Sequence, residues 1–182
     1  MATDSLGNGT SRRLLSRAAL VERLKGVKLL SLDVDGVLTD GGLYYTDDGQ
    51  QLRKFNVKDG IGLQRVRAAG VEVALISAAK APAIRRRGES LGLGHVLVGC
   101  EDKLAALAKT CGELGLDLAD AAHMGDDLND LAVLEAVGLP LSVADAVPEA
   151  RAAAAYVTSR RGGDGAVREI CDLIVAAHGD GV

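Results

Sequence analysis

Seven polar residues whose types could do nucleophilic, acid–base or metal chemistry follow apolar runs at four places in the chain. They are Asp33, Asp35, Ser77, Lys103, Asp126, Asp127 and Asp130. Unit charges about 4 Å apart interact by roughly 4 kcal/mol at an effective dielectric constant near 20, so carboxylates gathered at one place require a cation. Hard oxygen ligands with no Cys or His nearby favour Mg²⁺.

The elements that would position these residues alternate along the chain. Short apolar runs are typical of strands, and segments with helical periodicity lie between them, several ended by glycine. The predicted strands are VKLLSLDV, GVEVALIS, HVLVG, AAHMG and LPLSVA. This alternation predicts an α/β fold, a Rossmann-like doubly wound parallel sheet with right-handed crossovers. Because ligands of such sheets bind beyond the carboxyl ends of the strands, we expect the polar residues to meet at one edge.

One insertion interrupts the alternation. The segment GGLYYTDDGQQLRKFNV has β-rich flanks around Asp48-Gly49, a dipeptide that favours a two-residue hairpin turn. An isolated two-stranded hairpin is only marginally stable in water. We therefore expect the hairpin to lie on another surface, such as that of a second subunit.

Composition limits the classes of function. The length of 182 residues suits one domain. We predict that this domain spans residues 16–182 and follows a flexible segment, 1–15. A net charge of −4 and an aromatic content of 2% disfavour nucleic acid as a partner. Neither a signal peptide nor a membrane-spanning run is evident, so we expect a cytoplasmic protein without a membrane partner. The scattered cysteines and histidines, His123 among them, are expected to have ordinary structural roles.

The sequence also resembles a known family. DVDGVLTDGG resembles the first motif of the haloacid dehalogenase superfamily, D-x-D-G-x-x-T/V, while Ser77, Lys103 and GDDLNDL resemble its second, third and fourth motifs. More narrowly, NVKDGIGL, RRRGESLG, VADAVPE and GGDGAVRE resemble the subfamily without a cap domain that includes the 3-deoxy-D-manno-octulosonate 8-phosphate (KDO 8-phosphate) phosphatases. The resemblance implies a phosphatase with only a hairpin insertion where relatives carry a lid.

The resemblance assigns a role to each polar residue. Asp33 would be the nucleophile that forms an aspartyl-phosphate, and Asp35 the general acid and base. The side chains of Asp33 and Asp126 and the backbone carbonyl of Asp35 would hold Mg²⁺, supported by Asp127 and Asp130. Charge on the transferring oxygens would be met by Lys103, by the Ser77 hydroxyl and by backbone amides of the Asp35-Gly36 turn.

The same resemblance implies a homotetramer in which neighbouring subunits complete the site for a small phosphorylated sugar acid. Substrate contacts would come from Asp35 and Lys103 and from a further set of residues. That set is Asn56, Val57, Lys58, Asp59, Gly60, Gln64 and Arg87. The loop in GGDGAVRE could either fold over a neighbour's site or only separate a strand from a helix.

Alternatives remain open at this point. Where octulosonate-phosphate phosphatases usually carry Gly-Arg after the hydroxyl of the second motif, this chain has Ala78-Ala79. The change leaves a nine-carbon ulosonic acid 9-phosphate as a competing substrate. A non-catalytic oligomerisation module is a rival from another class, but the complete set of motif residues argues against it. A phosphoryl-accepting receiver domain would have its acidic pair and phosphoacceptor in a different chain order.

Overall fold

A computed structural model describes residues 14–179. Most of the segment predicted to be flexible, 1–15, lies outside these residues. The first helix begins after Ser16, whose hydroxyl accepts a hydrogen bond from the Ala19 amide at 3.2 Å, as expected for an N-cap. Within the described range, no helix is both long enough and apolar enough to span a membrane.

Strands and helices alternate as the periodicity predicts. The strands are β1 Leu29–Leu32, β2 Tyr44–Tyr45, β3 Gln51–Leu52, β4 Glu72–Ser77, β5 His95–Val98, β6 Ala121–Gly125, β7 Leu139–Ser142 and β8 Tyr156–Val157. The helices are α1 Arg17–Leu24, α2 Val57–Ala68, α3 Pro82–Ser90, α4 Lys103–Leu114, α5 Leu131–Ala136, α6 Pro148–Ala153 and α7 Ala166–Ala177.

Six strands form one parallel sheet in the order β5-β4-β1-β6-β7-β8. The predicted doubly wound fold is thus confirmed, and β1 lies at the centre between β4 and β6. The short edge strand β8 was not predicted, because two residues give no periodicity to detect. No cap domain separate from this sheet is found within residues 14–179.

The side chains of β1 alternate between two apolar cores on opposite faces of the sheet. Leu30 and Leu32 belong to the larger core, which includes buried residues of α1, α2 and α7. Leu29 belongs to a smaller core with Leu107 and Cys111 of α4. Since both faces are covered, the strand is apolar almost throughout, as is usual for parallel sheets. The first polar side chain after it, Asp33, follows directly at the carboxyl end.

The insertion forms the predicted hairpin, but with a different turn. Strands β2 and β3 pair antiparallel, Tyr44 with Leu52 and Tyr45 with Gln51. The Thr46 amide donates to the Gln50 carbonyl oxygen at 3.0 Å, which leaves a three-residue loop, 47–49, rather than a two-residue turn. Gly49 has φ +81°, the left-handed conformation that such a loop needs at its last position.

Candidate active site

Four motif residues meet at the carboxyl edge of the sheet. Asp33 follows β1, Ser77 ends β4, Lys103 begins α4 after β5, and Asp126 follows β6. Three of them, together with Asp35, line a cavity of about 170 Å³; the cavity residues are Asp33, Asp35, Ser77, Ala78, Ala79, Asp126, Asp127 and Asn129. The predicted convergence at this edge is therefore present in the structure.

Lys103 connects the first and fourth motifs. Its ammonium nitrogen lies 2.9 Å from Asp33 Oδ1 and 2.7 Å from Asp130 Oδ1, and only 1% of the side chain is exposed. Burial alone would lower the pKa of Lys103, but the charges of Asp33 and Asp130 outweigh it and raise the pKa above its usual value. The lysine therefore stays charged beside the predicted nucleophile.

Asp130 organises the loop after β6. Its Oδ1 accepts from Lys103 and lies 3.3 Å from His123 Nε2, while its Oδ2 accepts from the Asp126 and Asp127 amides at 3.1 and 3.4 Å. Burial would raise the pKa of Asp130, but the hydrogen bond and charge of His123, followed by Lys103, lower it to about 2. Both oxygens of this carboxylate are thus occupied by the protein.

His123 is a participant that the sequence analysis did not identify. Its ring is fully buried, with Nδ1 3.0 Å from Ser31 Oγ and Nε2 facing Asp130. A single histidine within a strand carries no spacing signal. Its contacts depend on the pairing of β1 with β6, which places Ser31 opposite His123.

The carboxylates at this edge of the sheet outnumber the positively charged side chains beside them. Ligand oxygens of Asp33, Asp126 and Asp130 lie within 4.8 Å of one another. Burial, and then the negative charges of Asp33 and Asp130, raise the pKa of Asp126 to about 8. Burial, and then the charge of Asp130, raise the pKa of Asp33 to about 6. Asp126 Oδ1 is buried and has no hydrogen-bond partner among the described residues, so this set of donors fits a divalent cation.

Gly36 allows the two acidic loops to approach each other. Its φ is +92°, and a Cβ at this position would lie 2.0 Å from Asp126 Oδ2. A Cβ on Gly162 would in turn lie 1.7 Å from the Gly36 carbonyl oxygen, and the Gly163 amide donates to the Val37 carbonyl oxygen at 3.0 Å. The GGDG loop therefore packs on the Asp35-Gly36 turn of its own chain.

Asp35 forms a contact that the sequence did not predict. Arg53 Nε lies 2.6 Å from Asp35 Oδ1 and Arg53 Nη2 lies 3.2 Å from Asp35 Oδ2, a bidentate ion pair. The arginine comes from the hairpin arm just after β3. Only 2% of its side chain is exposed, whereas 30% of the Asp35 side chain is. The hairpin thus reaches the site within one chain.

Asp59, a predicted substrate contact, is turned toward α7 in this structure. The residue is fully buried, and its Oδ1 accepts from the Arg168 amide at 2.8 Å. Burial raises the pKa of Asp59, and hydrogen bonds from the amides of Arg168 and Gly165 oppose the rise. The carboxylate therefore caps the first turn of α7 from inside the protein.

The other predicted substrate contacts lie at the start of α2, within α2 and on α3. Asn56 caps α2 and donates to the Gly163 carbonyl oxygen at 3.2 Å. Arg87 donates to the Asn56 carbonyl oxygen at 3.1 Å, and a Cβ on Gly60 would collide with its guanidinium. Val57, Lys58 and Gln64 are exposed. Within one chain, none of these residues lines the small cavity around Asp33.

Comparison with known proteins places this geometry in a family. Residues 99–170 match the family model described as haloacid dehalogenase-like hydrolase. The KDO 8-phosphate phosphatase of Escherichia coli K12 is 42% identical over 162 residues, covering 89% of this chain and 86% of that protein. The chain belongs to the KDO 8-phosphate phosphatase family of haloacid dehalogenase-like hydrolases.

Solved structures of this family share the fold. The KDO 8-phosphate phosphatase of Moraxella catarrhalis, in complex with magnesium, phosphate and KDO, superposes with a TM-score of 0.84 at 39% identity, covering 87% of this chain and 91% of that one. The Yersinia pestis enzyme gives a TM-score of 0.85 at 40% identity, with coverages of 87% and 85%. The family resemblance that the four motifs predict is thus confirmed over most of the chain.

Proposed function

We propose that this protein is a Mg²⁺-dependent phosphatase that hydrolyses KDO 8-phosphate to KDO and inorganic phosphate. The observation that carries the proposal is the meeting of Asp33, Lys103 and Asp126 at one edge of the sheet in a member of this family. A family relative solved with magnesium, phosphate and KDO supports the same chemistry. Such an enzyme would serve lipopolysaccharide synthesis.

Asp33 and Asp126 are the side chains that would hold Mg²⁺, with the Asp35 backbone carbonyl. Asp126 Oδ1 is buried without a partner among the described residues. Asp130 belongs to the same cluster, but its oxygens are bonded to Lys103 and to backbone amides, so it supports the site rather than binding the ion. When bound, the ion supplies positive charge to the carboxylates and to the phosphoryl oxygens.

The reaction proceeds in two displacements on phosphorus. Asp33 attacks the phosphorus atom, the bond to the sugar oxygen breaks, and an aspartyl-phosphate forms. Asp35 gives a proton to the leaving alkoxide and then takes one from the water that attacks the aspartyl-phosphate. This second step releases phosphate and restores the Asp33 carboxylate.

Charge on the transferring oxygens is met by groups already fixed in place. The Lys103 ammonium is held against Asp33 by Asp130, so it needs no rearrangement. Ser77 is buried, with 1% of its surface exposed. Its side-chain oxygen accepts from the Ala79 amide at 3.1 Å, which leaves the hydroxyl proton free to donate. Of the two amides in the Asp35-Gly36 turn, the Gly36 amide donates to Thr39 Oγ1 at 3.2 Å, so the Asp35 amide would be the further donor.

A nine-carbon ulosonic acid 9-phosphate is the second candidate substrate. Ala79 lines the cavity beside Ser77 where an arginine is expected, and Lys80 follows it on the same loop. A lysine is a point charge and cannot form the bidentate fork that arginine makes with a carboxylate. This replacement alters recognition of the sugar acid but leaves the phosphoryl-transfer residues unchanged.

Phosphate release from a panel of phosphate esters tests the function and the metal together. The panel contains KDO 8-phosphate, two nine-carbon ulosonate 9-phosphates and neutral sugar phosphates, each assayed with Mg²⁺ and with EDTA. We expect KDO 8-phosphate to have the highest kcat/KM, EDTA to abolish turnover and added Mg²⁺ to restore it. Activity that is insensitive to chelation would contradict the metal site, and a preference for another ester would reassign the substrate.

We also propose a homotetramer in which hairpins meet and subunits complete one another's substrate sites. The hairpin exposes Tyr44, Tyr45 and Leu52, with 48%, 65% and 50% of their surfaces accessible. Apolar side chains clustered on a two-stranded hairpin favour burial against another copy. Cytoplasmic location stays a prediction of the sequence.

Substituting both Tyr45 and Leu52 with glutamate should convert the assembly into smaller species. Each hairpin would carry two added negative charges, so at least four would be buried where two hairpins meet. Sedimentation velocity measures the change. Lys109→Glu on α4 is the control for added negative charge, since its side chain is 77% exposed and far from the hairpin in the chain. An unchanged sedimentation coefficient in the double variant would refute the role of the hairpin in assembly.

A further inference from the structure

Asp35 is held differently from the other carboxylates at this edge of the sheet. Asp33 and Asp130 share the ammonium group of Lys103 and are buried. Within residues 14–179, only Arg53 forms a hydrogen bond or an ion pair with the Asp35 side chain. Because 30% of that side chain is exposed, packing confines it less than it confines Asp33. The orientation of the Asp35 carboxylate therefore depends on the guanidinium.

The ion pair fixes this carboxylate in direction as well as in distance. Arg53 Nε lies 2.6 Å from Oδ1 and Nη2 lies 3.2 Å from Oδ2, so the two planar groups meet through two N–H···O bonds. Such a fork restrains the rotation of the carboxylate, which a single contact would not. Each carboxylate oxygen accepts more than one hydrogen bond. The fork thus leaves an acceptor position on Asp35 for the proton that the reaction moves.

Arg53 itself is fixed by the hairpin. Its Nη1 donates to Gln51 Oε1 at 2.7 Å, and Gln51 donates to the Tyr45 hydroxyl at 2.9 Å across the paired strands. Two residues after Arg53, Phe55 forms an antiparallel bridge with Thr39, on the loop that follows Asp35. Only 2% of the Arg53 side chain is exposed. The hairpin arm and the acidic loop are therefore joined on both sides of the ion pair.

Resting on the proposed function, we propose that Arg53 is a positioning residue for proton transfer by Asp35. It has no contact with the substrate in this role. In the first displacement the bond from phosphorus to the sugar oxygen breaks, its electron pair stays on that oxygen, and the proton of Asp35 neutralises it. Arg53 keeps the carboxyl group in the direction from which this proton is delivered. Its loss should slow cleavage most for leaving groups that need the proton.

Two esters with different leaving groups test this role. KDO 8-phosphate releases an alkoxide, which needs a proton as it leaves, whereas 4-nitrophenyl phosphate releases a stable phenolate, which does not. Steady-state kcat/KM is measured for both, because this constant covers the steps up to departure of the first leaving group. The variants are Arg53→Gln and Arg53→Lys. Lys54→Gln is the control on the same arm, since Lys54 is 66% exposed and faces Asp40 at 3.5 Å.

We expect Arg53→Gln to lower kcat/KM about 10²-fold for KDO 8-phosphate and less than about threefold for the aryl ester, because only the former uses the general acid. Arg53→Lys keeps the charge but not the fork, so it should recover part of the loss. Lys54→Gln should match the wild type on both esters. Turnover of the aryl ester also reports that each variant is folded.

A double variant tests whether Arg53 acts through Asp35. Asp35→Asn alone should show the same selective loss, and adding Arg53→Gln to it should lower kcat/KM for KDO 8-phosphate no further. Equal loss on both esters in Arg53→Gln, an unchanged rate with KDO 8-phosphate, or a full further loss in the double variant would overturn the inference. Failure of the wild-type protein to hydrolyse KDO 8-phosphate would instead contradict the proposed function, and the comparison would then use the alkyl phosphate of the panel that it hydrolyses fastest.

Discussion

Asp33→Asn is expected to lower kcat by about 10⁴-fold or more, the scale seen when a nucleophile is removed from an enzyme. The carboxamide has no anionic oxygen with which to attack phosphorus, so the first displacement cannot begin. The substitution keeps the shape of the side chain, and Lys103 retains its contact with Asp130 at 2.7 Å. The fold should therefore survive.

Phosphate release measures this effect, and thermal unfolding followed by circular dichroism checks the fold. Glu135→Gln on α5 is the matched control, because it makes the same carboxylate-to-amide change at an exposed position. It should retain wild-type turnover. Appreciable activity in a folded Asp33→Asn protein would remove Asp33 from the role of nucleophile.

Lys103→Met is expected to reduce both stability and turnover. The substitution leaves Asp33 and Asp130 buried without their shared cation, and breaking a buried ion pair in this way costs about 3–5 kcal/mol. Loss of a positive charge aimed at the transferring phosphoryl group should lower kcat by about 10²–10³-fold. Mg²⁺ should recover part of the stability, because the ion binds only the folded site.

Urea unfolding with and without Mg²⁺ measures the first effect, and phosphate release measures the second. Lys109→Met lies on the same helix with its side chain 77% exposed and a distant partner, Glu113 at 3.8 Å, so it should change the free energy of unfolding by less than about 0.5 kcal/mol. A similarly small change in Lys103→Met would contradict a structural role for the buried ammonium.

The two experiments separate different properties of one cluster. In the proposed mechanism, Asp33 would form the bond to phosphorus, whereas Lys103 would stabilise charge on the phosphoryl group and also compensate the buried carboxylates in the absence of metal. The Asp33→Asn protein should therefore remain stable and inactive. The Lys103→Met protein should have a lower free energy of unfolding than the wild type, and the difference should grow when Mg²⁺ is removed.

Much of the fold follows from local patterns in the sequence. Apolar runs of strand length, separated by helical periodicity, are sufficient to predict a parallel doubly wound sheet. The hairpin was predicted from its β-rich flanks, but its turn was predicted two residues long and proved to have three. The edge strand Tyr156–Val157 escaped prediction because it is too short to show a pattern.

For the site, the order of the motifs is enough to identify which polar residues follow the strands. Those residues are expected to meet because the carboxyl ends of parallel strands lie at one edge of the sheet. The sequence did not determine the pairing of Arg53 with Asp35, the contact of His123 with Asp130 or the inward turn of Asp59. Arg53 and Asp35 are brought together by the fold and the register of the hairpin, which no local pattern encodes. These contacts arise only in the folded protein, because side-chain direction and distance depend on how separate segments pack.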